Sequence, residues 1–422
     1  MTSSPLTLTD INLIDPDVFG AGPPHAQWKL LRQQAPVFWH EGVEGLFPGF
    51  WNITKYEDIV TISRDPLTFI SSKGITIGTN PDNPSPAAGL GKMLITSDPP
   101  RHVRLRRLVN KGFTPRAVAA FEPHIRRITT DILDAVSPKG RCDFVTEVAA
   151  ILPLAVICGM MGVPQPDWPK MFELTNRVLG ATDPEYQTQV AADGADRPRV
   201  VEATLMQGYM EMFQYFMRML AERRRERRDD LVSVLVEADI DGEKLTDEEI
   251  LYFCYLLILA GNETTRNAIA GGLLALFEHP DQRERLQKHP ELLPTAVEEI
   301  LRWTSPVLHM TRTATRDVEI RGVTIKAGQK VALWYPSANR DEDVFPEPDT
   351  FDVGRTPNDH LAFGIGEHFC LGAGFARLEL RVMFEELLRR FPDIEPDGPV
   401  ERLRSNFIGG IKHLPVRFTP GG

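Results

Sequence analysis

The chain has 422 residues, of which 42% are hydrophobic and 25% are charged, a composition typical of a globular protein large enough to enclose a deep cavity. Its net charge of −11 argues against a nucleic-acid-binding protein. The four cysteines form no CxxC pair, which argues against a disulfide scaffold or a zinc site and favours a reducing, cytoplasmic location.

The first part of the chain is predicted to combine short strands with a long helix. Met1–Phe19 lacks both a basic region and a continuous apolar core, so we expect neither a signal peptide nor a membrane anchor. Aromatic and β-branched residues predict strands at Val37–His40 and Phe50–Thr54. The stretch 74–91 is rich in glycine and proline and predicts a loop, whereas apolar residues at helical spacing predict a helix over Pro115–Val136.

Two apolar segments are predicted to be buried helices. Val148–Pro166 carries no charge, but a membrane span needs about 20 apolar residues and this segment is shorter and interrupted by a proline. Thr246–Phe277 is the longest predicted helix, and Thr246 with Glu249 forms a capping-box pattern at its start. Ile250–Ala260 is almost entirely apolar, so this helix should cross the core. The polar run Asn262–Thr265 that follows is costly in a core and indicates a function.

The remaining predicted strands lie after the long helix. Val318–Ile325 alternates in polarity across an Arg-Gly turn, and Lys330–Trp334 follows it. Few strands, widely separated, indicate a small sheet attached to a helical body. The predicted fold class is therefore mainly α with a small β lobe.

The most informative segment is Phe363–Gly372, with the sequence FGIGEHFCLG, before a predicted helix over Leu371–Arg390. The partial positive charge of a helix N-terminus would lower the pKa of the Cys370 thiol. The glycines let the backbone approach a flat ligand, and His368 could donate to an acidic group at that ligand's edge. A lone cysteine in this setting would be an ordinary free thiol, but the ten-residue pattern favours a metal ligand.

This segment resembles the haem-binding loop of the cytochromes P450, FGxGxHxCxG. The resemblance implies the cytochrome P450 fold, in one domain over residues 1–422 with one buried haem b. It implies Cys370 as the iron ligand, with Phe363 and Gly364 also binding the cofactor. Thiolate ligation favours cleavage of the O–O bond.

A second resemblance lies in the long predicted helix, where Ala260–Thr265 is similar to the oxygen-activation segment of the family. It implies that Ala260 lies beside the haem and that Gly261 leaves room for O2. Thr264 would hydrogen-bond oxygen or an ordered water, and Glu263 would be the acid that links this water to bulk protons. The alternative interpretation is a solvated helix face.

Two further patterns are similar to the family. Glu299 and Arg302 match its ExxR pair, which with Arg355 would form a structural triad. A second set of side chains would bind the haem propionates through charge-assisted hydrogen bonds: His102, Arg106, Arg312 and His368. Arg312 follows from its position after the ExxR helix, and Arg316 is the competing choice.

The resemblance also implies the substrate class and the partners. By family position, a low-polarity distal pocket would include Val307, Leu308, Met310, Phe407 and Ile408. The C-terminal segment Phe407–Phe418, together with His309–Arg316, is most similar to actinobacterial members that hydroxylate steroids, branched fatty acids and isoprenoids. The implied partners are a lipophilic substrate, O2, and a ferredoxin with its ferredoxin reductase. A basic cluster for docking the ferredoxin is predicted from Arg101, Arg104, Arg107 and Lys111.

Two other functions remain open at this point. One is a haem-thiolate enzyme that uses no O2, such as a peroxide-driven or isomerising relative, although those often lack an acid–alcohol pair. The other is a non-enzymatic haem sensor, which would have no use for an oxygen-activation segment. NADPH-supported turnover with a ferredoxin and its reductase distinguishes these from a monooxygenase.

Overall fold

The computed structural model describes residues 6–43, 49–82, 84–192, 194, 196–240 and 242–421. Most of this part of the chain is helical. Its helices, in chain order, are α1 (Pro16–Gly20), α2 (His25–Gln34), α3 (Tyr56–Ser63), α4 (Arg101–Val109), α5 (Pro115–Val136), α6 (Ile151–Met161), α7 (Trp168–Leu179), α8 (Arg197–Arg225), α9 (Leu231–Glu237), α10 (Asp247–Glu278), α11 (Pro280–Lys288), α12 (Leu293–Thr304), α13 (Tyr335–Ala338) and α14 (Ala373–Arg390).

The strands form one five-stranded sheet and several small ones. Their bounds are β1 (Val37–His40), β2 (Phe50–Ile53), β3 (Phe69–Ile70), β4 (Arg141–Asp143), β5 (Asp239–Ile240), β6 (Glu243–Lys244), β7 (His309–Ala314), β8 (Val318–Ile320), β9 (Val323–Ile325), β10 (Lys330–Trp334), β11 (Glu395–Pro396), β12 (Glu401–Arg402), β13 (Ile411–His413) and β14 (Pro415–Arg417). The large sheet has the order β1-β2-β10-β7-β3. It is antiparallel except that β2 and β10 run parallel.

The helix α10 runs through the centre of the helical body. It begins at a capping box in which the Thr246 hydroxyl accepts a hydrogen bond from the Glu249 amide, and the Glu249 carboxylate accepts one from the Thr246 amide. It packs against α6, α7, α8, α12 and α14, and most of its side chains are buried. Because helices surround it, α10 is apolar on most of its circumference rather than along one stripe.

Most of the predicted elements are confirmed, with small changes at their ends. The predicted strand Phe50–Thr54 ends at Ile53, and the predicted helix Leu371–Arg390 begins at Ala373. Val148–Pro166 is a buried core helix over Ile151–Met161, preceded by a π-helical turn. The predicted loop 74–91 contains one short 3-10 turn, and Asn83 within it lies outside the described residues. None of the described helices combines the length and the hydropathy needed to span a bilayer.

Candidate active site

A cavity lies between α10, α6 and the loop that precedes α14. The side chains that line it come from segments far apart in the sequence, including the predicted residues His102, Arg106, Ala260, Gly261, Thr264, Val307, Met310, Arg312, Phe363, Gly364, His368 and Cys370. The fold therefore brings together the residues that the sequence patterns had marked separately. The buried cysteines Cys142, Cys158 and Cys254 are not among the lining residues.

Cys370 lies at the entrance to α14, and its accessible surface opens into the cavity. Its own amide donates to the Phe363 carbonyl over 2.9 Å, which closes the loop. Burial raises the pKa of the Cys370 thiol, whereas hydrogen bonding from the Gly372 amide and the positive charge of Arg106 act in the opposite direction. The donors around the sulfur are thus those that stabilise a thiolate, and a coordinated metal ion deprotonates such a thiol.

Two glycines of the loop have positive φ, Gly364 at 67° and Gly366 at 75°. A Cβ on Gly366 would lie 2.4 Å from the Ser63 carbonyl oxygen, so only glycine allows the loop to approach the end of α3. A Cβ on Gly372, by contrast, would have no neighbouring atom within 4 Å, and this glycine lines the cavity. This face of the loop is open to a flat ligand.

Four cationic or potentially cationic side chains converge at one edge of the cavity: His102, Arg106, Arg312 and His368. The rings of His102 and His368 are 4.3 Å apart, and His102 Nδ1 has no hydrogen-bond partner although it is buried. The nearest carboxylate oxygen, Glu367 Oε2, is 3.8 Å from it. Burial, followed by the charge of Arg106, lowers the pKa of His102 to about 4, and burial also lowers the pKa of Arg312.

This edge therefore carries more positive than negative charge, and two carboxylates of a ligand could accept hydrogen bonds from its side chains. Together with the Cys370 sulfur and the glycine-lined face, the donor set fits haem b, with its iron at Cys370 and its propionates at this edge. Arg316, the competing choice for the propionate contact, is exposed and does not line the cavity.

The oxygen-activation segment is divided between the cavity and the protein interior. Ala260, Gly261, Thr264 and Thr265 line the cavity, and the Thr264 hydroxyl donates to the Ala260 carbonyl over 2.8 Å. Glu263 is 1% exposed, does not line the cavity and accepts hydrogen bonds from Arg266 and Asn267 instead. The solvated-face alternative is therefore wrong for this segment.

The ExxR pair is a buried ion pair, as predicted. Arg302 donates to Glu299 through two nitrogens at 2.7 and 2.8 Å, and Arg355 Nε lies 3.2 Å from Glu299 Oε2. Arg302 also donates to the carbonyls of Asn339, Pro348 and Thr350. The triad therefore joins α12 to the segment before the haem loop and does not line the cavity.

The predicted substrate residues are only partly brought together. Val307 and Met310 line the cavity, whereas Leu308 lines a second cavity described below. Phe407 and Ile408 line neither, although a bridge between Val307 and Ile408 attaches their loop to the cavity wall. Leu308 lies between the bridge residue Val307 and the start of β7, and its side chain points away from the cavity that Val307 lines.

Two residues of the site were missed in the sequence. Glu379 in α14 lines the cavity, has an unpartnered Oε2, and burial raises its pKa to about 8. A glutamate on an otherwise apolar helical face was the available signal. Arg266, the partner of Glu263, could have been recognised from its i+3 spacing.

The chain is similar to known proteins over nearly its whole length. The cytochrome P450 family matches residues 71–408. The methyl-branched lipid omega-hydroxylase of Mycobacterium tuberculosis H37Rv is 45% identical over 401 residues, covering 92% of this chain and 90% of that protein. The steroid C26-monooxygenase of the same organism is 40% identical over 425 residues, covering 99% and 94%.

A solved cytochrome P450 structure is also similar to this chain over nearly its whole length. The fold is similar to that of a Mycobacterium marinum cytochrome P450 in complex with pseudoionone, with a TM-score of 0.89, 36% identity, and coverage of 99% of this chain and 100% of that one. The family match, the relatives and the thiolate-centred cavity agree. This chain belongs to the cytochrome P450 family of haem b oxidoreductases.

Proposed function

We propose that this cytochrome P450 uses O2 to hydroxylate a lipophilic substrate of the branched-lipid, steroid or terpenoid class. The observation that carries the proposal is the wall of the cavity beyond the haem-binding edge. It is formed by aliphatic, thioether and aromatic side chains, including Leu94, Ile95, Val156, Ile157, Met160, Phe253, Leu256, Leu257, Val307 and Met310. Burying apolar ligand surface there contributes about 25 cal/mol per Å², whereas a charged substrate would lack partners.

The named relatives support this substrate class, since one is a methyl-branched lipid omega-hydroxylase and another a steroid C26-monooxygenase. The Mycobacterium marinum structure is a complex with pseudoionone. The apolar wall of the cavity is consistent with a lipophilic ligand.

Bound haem supplies the electron-transfer and O–O cleavage chemistry, and the protein orients the substrate and controls protons. The Thr264 hydroxyl donates a hydrogen bond to the Ala260 carbonyl, so its oxygen can accept a hydrogen bond from a water in the cavity. The apolar wall excludes other water from the substrate. Thr264 is therefore the residue proposed to hold the water that delivers a proton.

Electrons are proposed to come from a ferredoxin and its reductase in the cytoplasm, where the four free cysteines stay reduced. The basic cluster predicted for docking is less available than its sequence indicates, because Arg101 and Arg104 both pair with Glu249. Lys111, which is exposed, remains the better candidate for steering an acidic partner. Reduction rates that fall as salt concentration rises would support this arrangement.

The substrate proposal is tested by titrating the ferric enzyme with candidate ligands and following the low- to high-spin shift of the Soret band. Methyl-branched lipids, steroids and terpenoids should produce the shift, and small polar acids should not. Turnover of the best ligand under isotopically labelled O2 should place one labelled oxygen atom in the product. A response confined to polar acids, or unlabelled product, would overturn the proposal.

A further inference from the structure

A second cavity, of about 260 Å³, is lined by a separate stripe of α10 and has no role in the proposed function. The stripe consists of Asn267, Gly271, Leu274 and Glu278. The other walls come from the N-terminal segment, the end of α12, Arg340 and the C-terminal loops, with the residues Phe19, Pro23, His25, Trp303, Thr304, Leu308, Arg402, Leu403, Ser405, Gly409, Gly410 and Ile411.

Positive side chains with unused hydrogen-bonding capacity face this space. Arg340 is 6% exposed, its guanidinium lies 3.8 Å from the centre of the Trp303 ring, and its Nε has no partner. Its one acidic contact among the described residues is Asp349, at 3.4 Å from Nη1. The side chain of Arg402 is half-buried and makes no hydrogen bond or salt bridge to the described residues; burial lowers its pKa, and the charge of Glu278 acts in the opposite direction.

A histidine beside this cavity also has an unused hydrogen-bonding atom. The His25 Nδ1 atom is buried and has no partner among the residues described. Burial, followed by the charge of Arg340 and then of Arg32 and Arg402, lowers the pKa of His25 well below its ordinary value. The acid among the lining residues, Glu278, is exposed and so lies at the rim.

Buried guanidinium donors that lack an acceptor are unfavourable, so the unpartnered Nε of Arg340, beside the unbonded guanidinium of Arg402, indicates a missing anion. Guanidinium groups bind carboxylates in a planar, two-bonded geometry. Beyond the charged end, the walls are apolar, with Phe19, Leu274 and Leu308 among them. The cavity has room for about nine water volumes, which limits an occupant to a small molecule.

We propose that this second cavity is a binding site for a small organic carboxylate, whose charged group is held by Arg402 and Arg340 and whose apolar part contacts Phe19 and Leu274. The occupant would also contact Asn267, whose Nδ2 donates to Glu263 over 3.3 Å. The site is thus one side chain away from the oxygen-activation segment.

Calorimetric titration with benzoate tests the proposal, using haem-loaded enzyme saturated with an azole so that the first cavity is already filled. Wild-type enzyme should bind benzoate, and Arg402→Gln should weaken binding at least about tenfold, since a charge-assisted hydrogen bond contributes about 1.5–3 kcal/mol. Arg417→Gln, a matched change at an exposed arginine paired with Glu395, should bind as wild type does. Arg402→Lys keeps the charge without the planar fork and should be intermediate.

Thermal unfolding provides an independent readout. Benzoate should raise the Tm of wild type and of Arg417→Gln but not that of Arg402→Gln. Without benzoate, Arg402→Gln should be at least as stable as wild type, because it removes a partly buried charge that has no hydrogen bond to the described residues. Equal binding by Arg402→Gln, no binding by wild type, or binding of inorganic phosphate in place of benzoate would overturn the proposal.

Discussion

Glu263 and Arg266, three residues apart on α10, form an ion pair in which both side chains are only 2% exposed. Arg266 also donates to Asn176 Oδ1 of α7 over 3.0 Å, so the pair joins the central helix to its neighbour. The second carboxylate oxygen of Glu263 has no partner among the described residues. The acid of the oxygen-activation segment is therefore held away from the cavity, and any proton that it passes to Thr264 requires this pair to rearrange.

Removing one partner of this pair should be strongly destabilising. Arg266→Met leaves the Glu263 charge buried and uncompensated, which costs about 3–5 kcal/mol in the free energy of unfolding. The double variant Glu263→Met with Arg266→Met should recover most of this loss. Urea unfolding followed by circular dichroism gives both values, and Arg389→Met, in an i, i+3 pair whose arginine is exposed, should change little. A loss below about 1 kcal/mol for Arg266→Met would contradict the buried pair.

The Thr264 hydroxyl should affect how oxygen is used rather than whether substrate binds. Thr264→Ala keeps the apolar wall, so haem content and the substrate-induced Soret shift should remain. The lost hydroxyl should reduce product per NADPH and increase hydrogen peroxide, with a rate effect of about 10²–10⁴-fold on the proton-dependent step. Product, peroxide and NADPH are measured together. Thr265→Ala is the control, because equal uncoupling there would mean that the wrong threonine was assigned.

Arg312 should hold the haem, and Arg316 should not. Arg312 is buried at the cationic edge, so Arg312→Gln should weaken haem retention about tenfold or more. Arg316→Gln, the same change at an exposed position, should leave retention unchanged. Transfer of haem to excess apomyoglobin measures both rates. Equal rates for the two variants would remove Arg312 from the propionate contacts.

The segment between α7 and α8 is fastened to β13 by a pH-dependent contact. His413 Nδ1 lies 2.5 Å from Asp143 Oδ2, and its Nε2 lies 3.2 Å from Glu185 Oε1. Lys412 forms a second salt bridge with Glu185, and the Glu401 carboxylate lies near the same group. Burial lowers the pKa of His413, but hydrogen bonding and charge from Asp143 and Glu185 outweigh it, so the net pKa is raised. The contact is therefore strongest below the ordinary histidine pKa and is lost as pH rises through the raised value.

Amide hydrogen exchange, corrected for its intrinsic pH dependence, should show protection of residues 181–187 falling as pH increases from about 5 to 8. His413→Asn should remove this dependence. His289→Asn, at an exposed histidine paired with Glu291, should not. An unchanged pH dependence in His413→Asn would show that His413 does not fasten the segment.

Local signals in the sequence predicted most of the elements, because caps and periodicity involve neighbouring residues. The predicted helix Thr246–Phe277 is observed as Asp247–Glu278, since the capping box that starts it needs only Thr246 and Glu249. The glycine-rich pattern likewise located Cys370 and the loop around it.

What could not be predicted depends on contacts between distant segments. Arg104 was predicted to belong to a docking surface, but its guanidinium donates to the carboxylate of Glu249, which is 145 residues away in the chain. Leu308 was expected at the substrate, yet its side chain lines the second cavity, although its neighbour Val307 lines the first. That cavity itself has no motif, because Arg340 follows α13 and Arg402 lies in β12, far apart in the sequence.

The central claim, that Cys370 ligates haem iron as a thiolate, is tested most directly by the absorption spectrum of the reduced carbonyl complex. Wild-type enzyme should show the red-shifted Soret band of thiolate ligation, and Cys370→Ala should lose it. Cys142→Ala, Cys158→Ala and Cys254→Ala should each keep it, since all three side chains are buried away from the cavity. A thiolate band that survives Cys370→Ala, or that disappears in one of the other three variants, would contradict the assignment.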